Sequence, residues 1–182
     1  MLQLGFGMTP FQSGLVTFVA AIGALSSKFG VSWVYRSFGF RNVLWSAAIV
    51  SSLLIAANAF FFPETPKALI MGCLLVGGVL RSLAFTGINA MVFADVDEAD
   101  SGQATAINAV FQQISLATGV ALAGGVLDLA GRIHGGPLRL EDFHVAFLVV
   151  AGIAALAAIV FVRLPADAGA AVSGHRRMPS RA

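Results

Sequence analysis

Apolar residues in this chain fall into five long runs, over about 13–32, 42–62, 68–93, 104–129 and 143–162, each bounded by a short polar stretch. A bilayer core of about 30 Å is crossed by about 20 mostly apolar residues in helical conformation, so each run is long enough to span it. The expected fold is an all-α membrane protein with about five transmembrane helices. Between the runs lie Trp33 to Arg41, the turn-like Pro63-Glu64-Thr65-Pro66-Lys67, an acidic stretch from Ala94 to Gln103, and a Gly/Pro-containing segment from Ala130 to Asp142; all are expected to be connections. A soluble helical bundle would need polar faces recurring every 3.6 residues, whereas the second and fifth runs are apolar all round. No basic region precedes the first run, whose earliest lysine is Lys28, so it is expected to stay in the mature chain rather than act as a signal peptide.

Composition sharpens this picture. Of 182 residues, 58% are hydrophobic and 11% charged, far below the roughly one quarter charged residues of soluble domains. Mean hydropathy is +0.87. Eleven Lys and Arg against nine Asp and Glu leave a formal charge of +2, too few cations for a nucleic-acid partner; the partner implied is the lipid bilayer. An odd number of spans puts the chain ends on opposite faces. Seven cations (Lys28, Arg36, Arg41, Arg163, Arg176, Arg177 and Arg181) fall on one face and three (Lys67, Arg132 and Arg139) on the other. By the excess of basic residues on inner loops, the C-terminus is expected in the cytoplasm and the chain in the inner or plasma membrane. Residues 1–164 form the expected transmembrane domain. Residues 165–182, rich in Ala, Gly and Ser with basic residues, form an expected disordered cytoplasmic tail.

The polar residues inside the runs carry the candidate chemistry. Arg81 lies 13 positions after Ala68, about 20 Å along a helix. An arginine at that depth costs about 3 kcal/mol even on lenient insertion scales, so it is expected to face other helices, water or an anionic partner rather than lipid. Phe85 and Asn89 follow at steps of four on the same face, with Ser82 and Thr86 in an adjacent stripe. The fourth run places Thr105, Asn108, Gln112, Ser115 and Gly119 on one face. Two such faces are expected to pair or to line a hydrated cavity, since amides removed from water need partners. Asn108 and Gln112 can equally serve as helix-to-helix glue. Gly77, Gly78, Gly119, Ala123 and Gly124 are of the small kind that lets membrane helices approach closely.

Other chemistries find little support. The acidic run Asp95, Asp97, Glu98 and Asp100 lacks the ligand and glycine placement of a calcium loop, and Asp100 or Ser101 is the expected N-cap of the fourth helix. His134, His144 and His175 show no metal-ligand spacing and read as interfacial or tail residues. Cys73, alone, lies in an apolar run. No nucleophile-base pair or phosphate-cradling loop is evident, so neither an enzyme nor a cofactor or metal site is expected.

The stretch Arg81-Ser82-Leu83-Ala84-Phe85-Thr86-Gly87-Ile88-Asn89, continuing to Ala94-Asp95-Val96, resembles a segment of major facilitator superfamily transporters, most closely the fourteen-span drug:proton antiporter branch. Ser101, Ala104-Thr105, Gln112-Gln113 and Gly119-Val120-Ala121 are similar to that branch's next helix. Leu2-Gln3, Gly7, Thr9-Pro10 and Gly14-Leu15 look like its extracytoplasmic segment, and Arg36-Ser37-Phe38-Gly39-Phe40-Arg41 resembles a weakened basic cytoplasmic loop, with Tyr35 where the family has an acid. The resemblance implies a C-terminal portion, the last five spans, of a proton-coupled exporter of small amphipathic or cationic compounds. Arg81, Phe85, Asn89, Asn108 and Gln112 would then line the transport path, and Arg36, Gly39 and Arg41 would form the cytoplasmic loop motif. It further implies small-molecule substrate and protons as partners, together with a missing N-terminal half or another membrane subunit. The carboxylates that usually carry the proton belong to that missing half; within the spans here stands only Asp128. The competing expectation is a non-transporting membrane fragment or accessory subunit.

Overall fold

The computed structural model describes residues 1–94, 96–97, 100–165 and 168–169, apart from the side chain of His134. Five α-helices and two single-turn 3-10 helices (Ser27–Phe29 and Asn58–Phe60) form the described chain, with no strand among the described residues: α1 (Pro10–Ser26), α2 (Val31–Ala57), α3 (Lys67–Val92), α4 (Ser101–His134) and α5 (Leu140–Val162). All five are long and apolar enough to cross a membrane. Asp95, Glu98, His175, Arg176, Arg177 and Arg181, and with them nearly all of the expected tail, lie outside the described residues.

Several helices outrun their apolar runs because local chemistry sets their ends. α1 starts at Pro10, where the Thr9 hydroxyl accepts from the Gln12 amide at 3.2 Å and the Gln12 side chain accepts from the Thr9 amide at 3.2 Å. That reciprocal cap, with proline at the first helical position, defines the start better than hydrophobicity does. At α5 the Asp142 carboxylate reaches back to the Arg139 amide at 2.8 Å. α4 follows Asp100 as its N-cap, as expected, but the Asp100 side chain makes no capping bond.

The largest departure from the expected connections is Trp33 to Arg41, which is helical within α2 except at Gly39. Val31, Val34 and Tyr35 recur at helical spacing and pack toward α3, while Trp33 and Arg36 stay exposed. Such a short amphipathic helix is polar enough to read as a loop yet keeps a buried face. Gly39, at φ 74° and ψ 159°, breaks the helical path in a region closed to most side chains, and this bend separates the short segment from the membrane-crossing part of α2.

α1, α2, α3 and α5 pack together, α1 on α3 and α2 against both α3 and α5; α4 leans chiefly on α5. The α1–α3 crossing depends on glycine. A Cβ on Gly78 would run into the Ala20 carbonyl oxygen, and one on Gly23 into the Leu75 carbonyl oxygen. In lipid, where burying hydrocarbon brings no gain over acyl chains, such close backbone approach is a principal source of helix association. One buried cluster, Tyr35, Phe40, Val43 and Leu44, packs with Ala84, Met91, Phe161 and Leu164. A second joins Val16, Phe61 and Ile70 to the N-terminal segment and to Cys73 and Leu74.

Candidate functional site

The polar face of α3 divides into two parts. At Asn89 it meets α4: the side-chain oxygen accepts from Asn108 Nδ2 at 2.7 Å and from Gln112 Nε2 at 2.9 Å, while Asn89 Nδ2 donates to the Phe85 carbonyl at 2.7 Å. One amide thus gathers two others from the facing helix. Helical spacing brings Asn108 and Gln112 onto one face four residues apart, which is what allows both to reach the same oxygen. The rest of the α4 stripe does not join them. Thr105 and Ser115 turn their hydroxyls to the carbonyls of Ser101 and Phe111 on their own helix, both at 2.8 Å. Nothing lies within 4 Å of a Cβ built on Gly119.

One and two turns before Asn89, Phe85 and Arg81 line a cavity of about 600 Å³. α2 contributes Ala47, Ser51 and Leu54, and α5 contributes Ala154, Ala157 and Phe161. Leu74 and Phe161, which belong to the two packed clusters, also line it, so the cavity runs between them. Arg81 stays exposed, and no described residue accepts a hydrogen bond from it. The small residues of α5 that make room here stand at 154 and 157, a helical spacing that could have marked this wall in the sequence.

The expected cytoplasmic loop motif is not a loop. Arg36 lies on the helical segment before the bend, Gly39 is the bend, and Arg41 follows it on α2. Its packing centres on Tyr35, which stands where the resemblance expects an acid. The Tyr35 hydroxyl donates to the Leu83 carbonyl at 2.7 Å, and the ring stacks on Phe40 with centroids 4.4 Å apart. Gly87 supplies the space, since a Cβ there would collide with the phenol oxygen. Close by, Lys28 Nζ donates to Thr86 Oγ1 at 3.1 Å. The ends of α1 and α3 and the start of α2 are therefore joined through side chains. Gly169 approaches Phe40 too, so the described start of the tail sits at this same end.

At the opposite end, Asp128 pairs with Arg132 at 2.9 Å on the exposed surface of α4. Exposed ion pairs of this kind stabilise little. His144 sets its ring edge-on to Phe62, with centroids 5.3 Å apart.

Five long apolar helices, with a polar seam and a cavity between them, define a multi-pass membrane protein of helical type. The profile of the Major Facilitator Superfamily matches residues 1–180, and the chain belongs to that family. It is 30% identical over 175 residues to the putative multidrug resistance protein MdtD of Yersinia enterocolitica serotype O:8 / biotype 1B, an alignment covering 92% of this chain and 36% of that protein. Proteins of the same name from Salmonella paratyphi B and Salmonella newport are each 30% identical over 173 residues, covering 91% of this chain and 36% of the relative. The chain thus spans about a third of the length of these relatives. No solved structure matches it.

Proposed function

We propose that this chain works as the C-terminal portion of an exporter of small amphipathic or cationic compounds, driven by antiport with protons in the inner or plasma membrane. The observation that carries the reading is the divided face of α3, with Asn89 tied to α4 and Arg81 with Phe85 left on a cavity. A transporter needs a polar path that can be closed on one side while open on the other, and a seam of exchangeable amide bonds beside an open pocket suits that need. The MdtD name of the similar proteins, which speaks of multidrug resistance, supports efflux as the activity. Transport rather than enzymatic chemistry is the role these features suit.

In this proposal Arg81, Phe85, Asn89, Asn108 and Gln112 contact substrate or water. Arg36, Gly39 and Arg41 act at the cytoplasmic end, residues 1–164 form the transmembrane domain and residues 165–182 form a cytoplasmic tail. The orientation is supported by the seven-to-three division of cations and by the proximity of Gly169 to Phe40. The complementary half is proposed to cover α4. Arg81→Ala in the complete transporter should abolish export while leaving membrane insertion intact; unchanged efflux would remove Arg81 from the mechanism.

A second reading is a non-transporting fragment or accessory subunit. Proteoliposomes containing this polypeptide alone, with and without an imposed pH gradient, separate the two. Gradient-dependent substrate movement requires transport by the chain itself, and movement that returns only when a complementary half is added requires the split exporter. No movement in either case leaves the accessory role.

A further inference from the structure

Arg81 is a permanent cation facing a space whose other described polar groups are neutral. Its guanidinium presents a planar fork of donors, a geometry matched to a carboxylate or sulfonate rather than to a point charge. Among the described carboxylates, Asp128 is held by Arg132, Asp142 caps α5, and Glu64, Asp97, Asp100 and Glu141 lie in connections or at helix starts. The other polar groups of the wall bring no negative charge either. Asn58 spends its Nδ2 on the Leu54 carbonyl at 2.6 Å, and Ser51 is a hydroxyl.

The rest of the cavity is hydrocarbon, with Phe85 and Phe161 as its aromatic walls and Ala154 and Ala157 leaving the room. A space of about 600 Å³ falls within the roughly 300–1,000 Å³ of small-molecule sites. A cationic ligand there would face like charge in a low-dielectric setting, where repulsion is poorly screened. An anion would instead gain the charge-assisted, two-point bond that guanidinium makes with carboxylates.

We propose that this cavity binds amphipathic monoanions, with the carboxylate or sulfonate on Arg81 and the aromatic or aliphatic body between α3 and α5. The inference rests on the exporter reading and narrows its substrate class from amphipathic or cationic compounds to amphipathic anions.

The test uses the 182-residue chain in phosphatidylcholine nanodiscs with radiolabelled 2-naphthoate as probe. Saturable binding, displaced by unlabelled 2-naphthoate and not by 2-naphthyltrimethylammonium, is expected. Arg81→Gln should weaken it on the order of 10- to 100-fold, the loss of a charge-assisted bond, and Arg81→Lys should fall between. Ala157→Trp, which fills the cavity and leaves the cation in place, should abolish binding even if the Arg81 variants fail to fold. Equal displacement by the ammonium compound, or unchanged affinity in Arg81→Gln or Ala157→Trp, overturns the proposal. Nanodiscs containing phosphatidylglycerol separate a free anion from a lipid headgroup: undiminished naphthoate binding supports the free anion, and competition by the lipid overturns the substrate assignment. Naphthoate binding without efflux from the complete transporter would defeat the exporter reading and keep the site. Efflux of ammonium compounds without naphthoate binding would do the reverse.

Discussion

α4 and the group formed by α1, α2, α3 and α5 have similar membrane-crossing composition and opposite packing. None of the described residues of α4 is buried, whereas each of the other four helices has buried positions, including Val16, Leu44, Ile70 and Ala151. The group is held by steric fit: glycines at the α1–α3 crossing, Tyr35 seated over Gly87, and small residues along α5. α4 leans chiefly on α5 and is tied to α3 only through the amides of Asn89, Asn108 and Gln112. Steric fit, supplemented by the Tyr35–Leu83 and Lys28–Thr86 hydrogen bonds, gives a body with one arrangement, because interlocked side chains have no alternative partner at equal energy. Amide bonds between helices contribute only about 0.6 kcal/mol on average in membranes, so α4 is the element that a second body can most readily draw away or complete.

Substituting the same residue in both regions is the sharpest way to break this contrast. Gly78→Leu should destabilise the chain by about 3 kcal/mol or prevent folding, since a side chain there meets the backbone of α1. Gly124→Leu on α4, where a Cβ meets nothing within 4 Å, should change stability by less than about 0.5 kcal/mol. Thermal unfolding in detergent measures both, and equal losses would mean that α4 is packed as tightly as the rest. Next in size, Asn89→Leu should cost about 1–2 kcal/mol by leaving the Asn108 and Gln112 donors without their shared acceptor. Spin labels at the exposed Ile88 and Ile107 should then report a broadened distance between α3 and α4; an unchanged distribution would mean that the amides are incidental. Tyr35→Phe removes the bond to Leu83 and keeps the ring, for an expected loss of about 1 kcal/mol in denaturant titration. Arg132→Ala breaks an ion pair whose side chains are 76% and 64% exposed, and should shift the midpoint by no more than about 0.5 kcal/mol.

Hydrophobic periodicity revealed what depends on local pattern. Five runs became five helices, and the stripe Asn108–Gln112 pointed to a partner on α3 that proved to be Asn89. Helix ends were less legible, because a capping box at Thr9 or an acidic cap at Asp142 extends a helix beyond its greasy centre without altering hydropathy. The segment 33–41 reads as a connection for the same reason: exposed Trp33 and Arg36 mask the inward side that half-buried Val34 and buried Tyr35 provide. Contacts such as Tyr35 with Gly87 join residues 52 positions apart and leave no periodic trace in either helix. The cavity around Arg81 was foreseeable from the cost of the charge, whereas its α5 wall required the packing of helices distant in sequence.

α4 also has an unusual length. Its 34 residues extend about 51 Å, some 20 Å more than the oily slab it crosses, and no ordinary tilt takes up that excess. The overhang must stand among phosphates and glycerol, and at its far end it carries Asp128 and Arg132. Lipid acyl-chain length therefore sets how much of this rod is wetted, so membrane thickness itself becomes a lever on the least anchored helix.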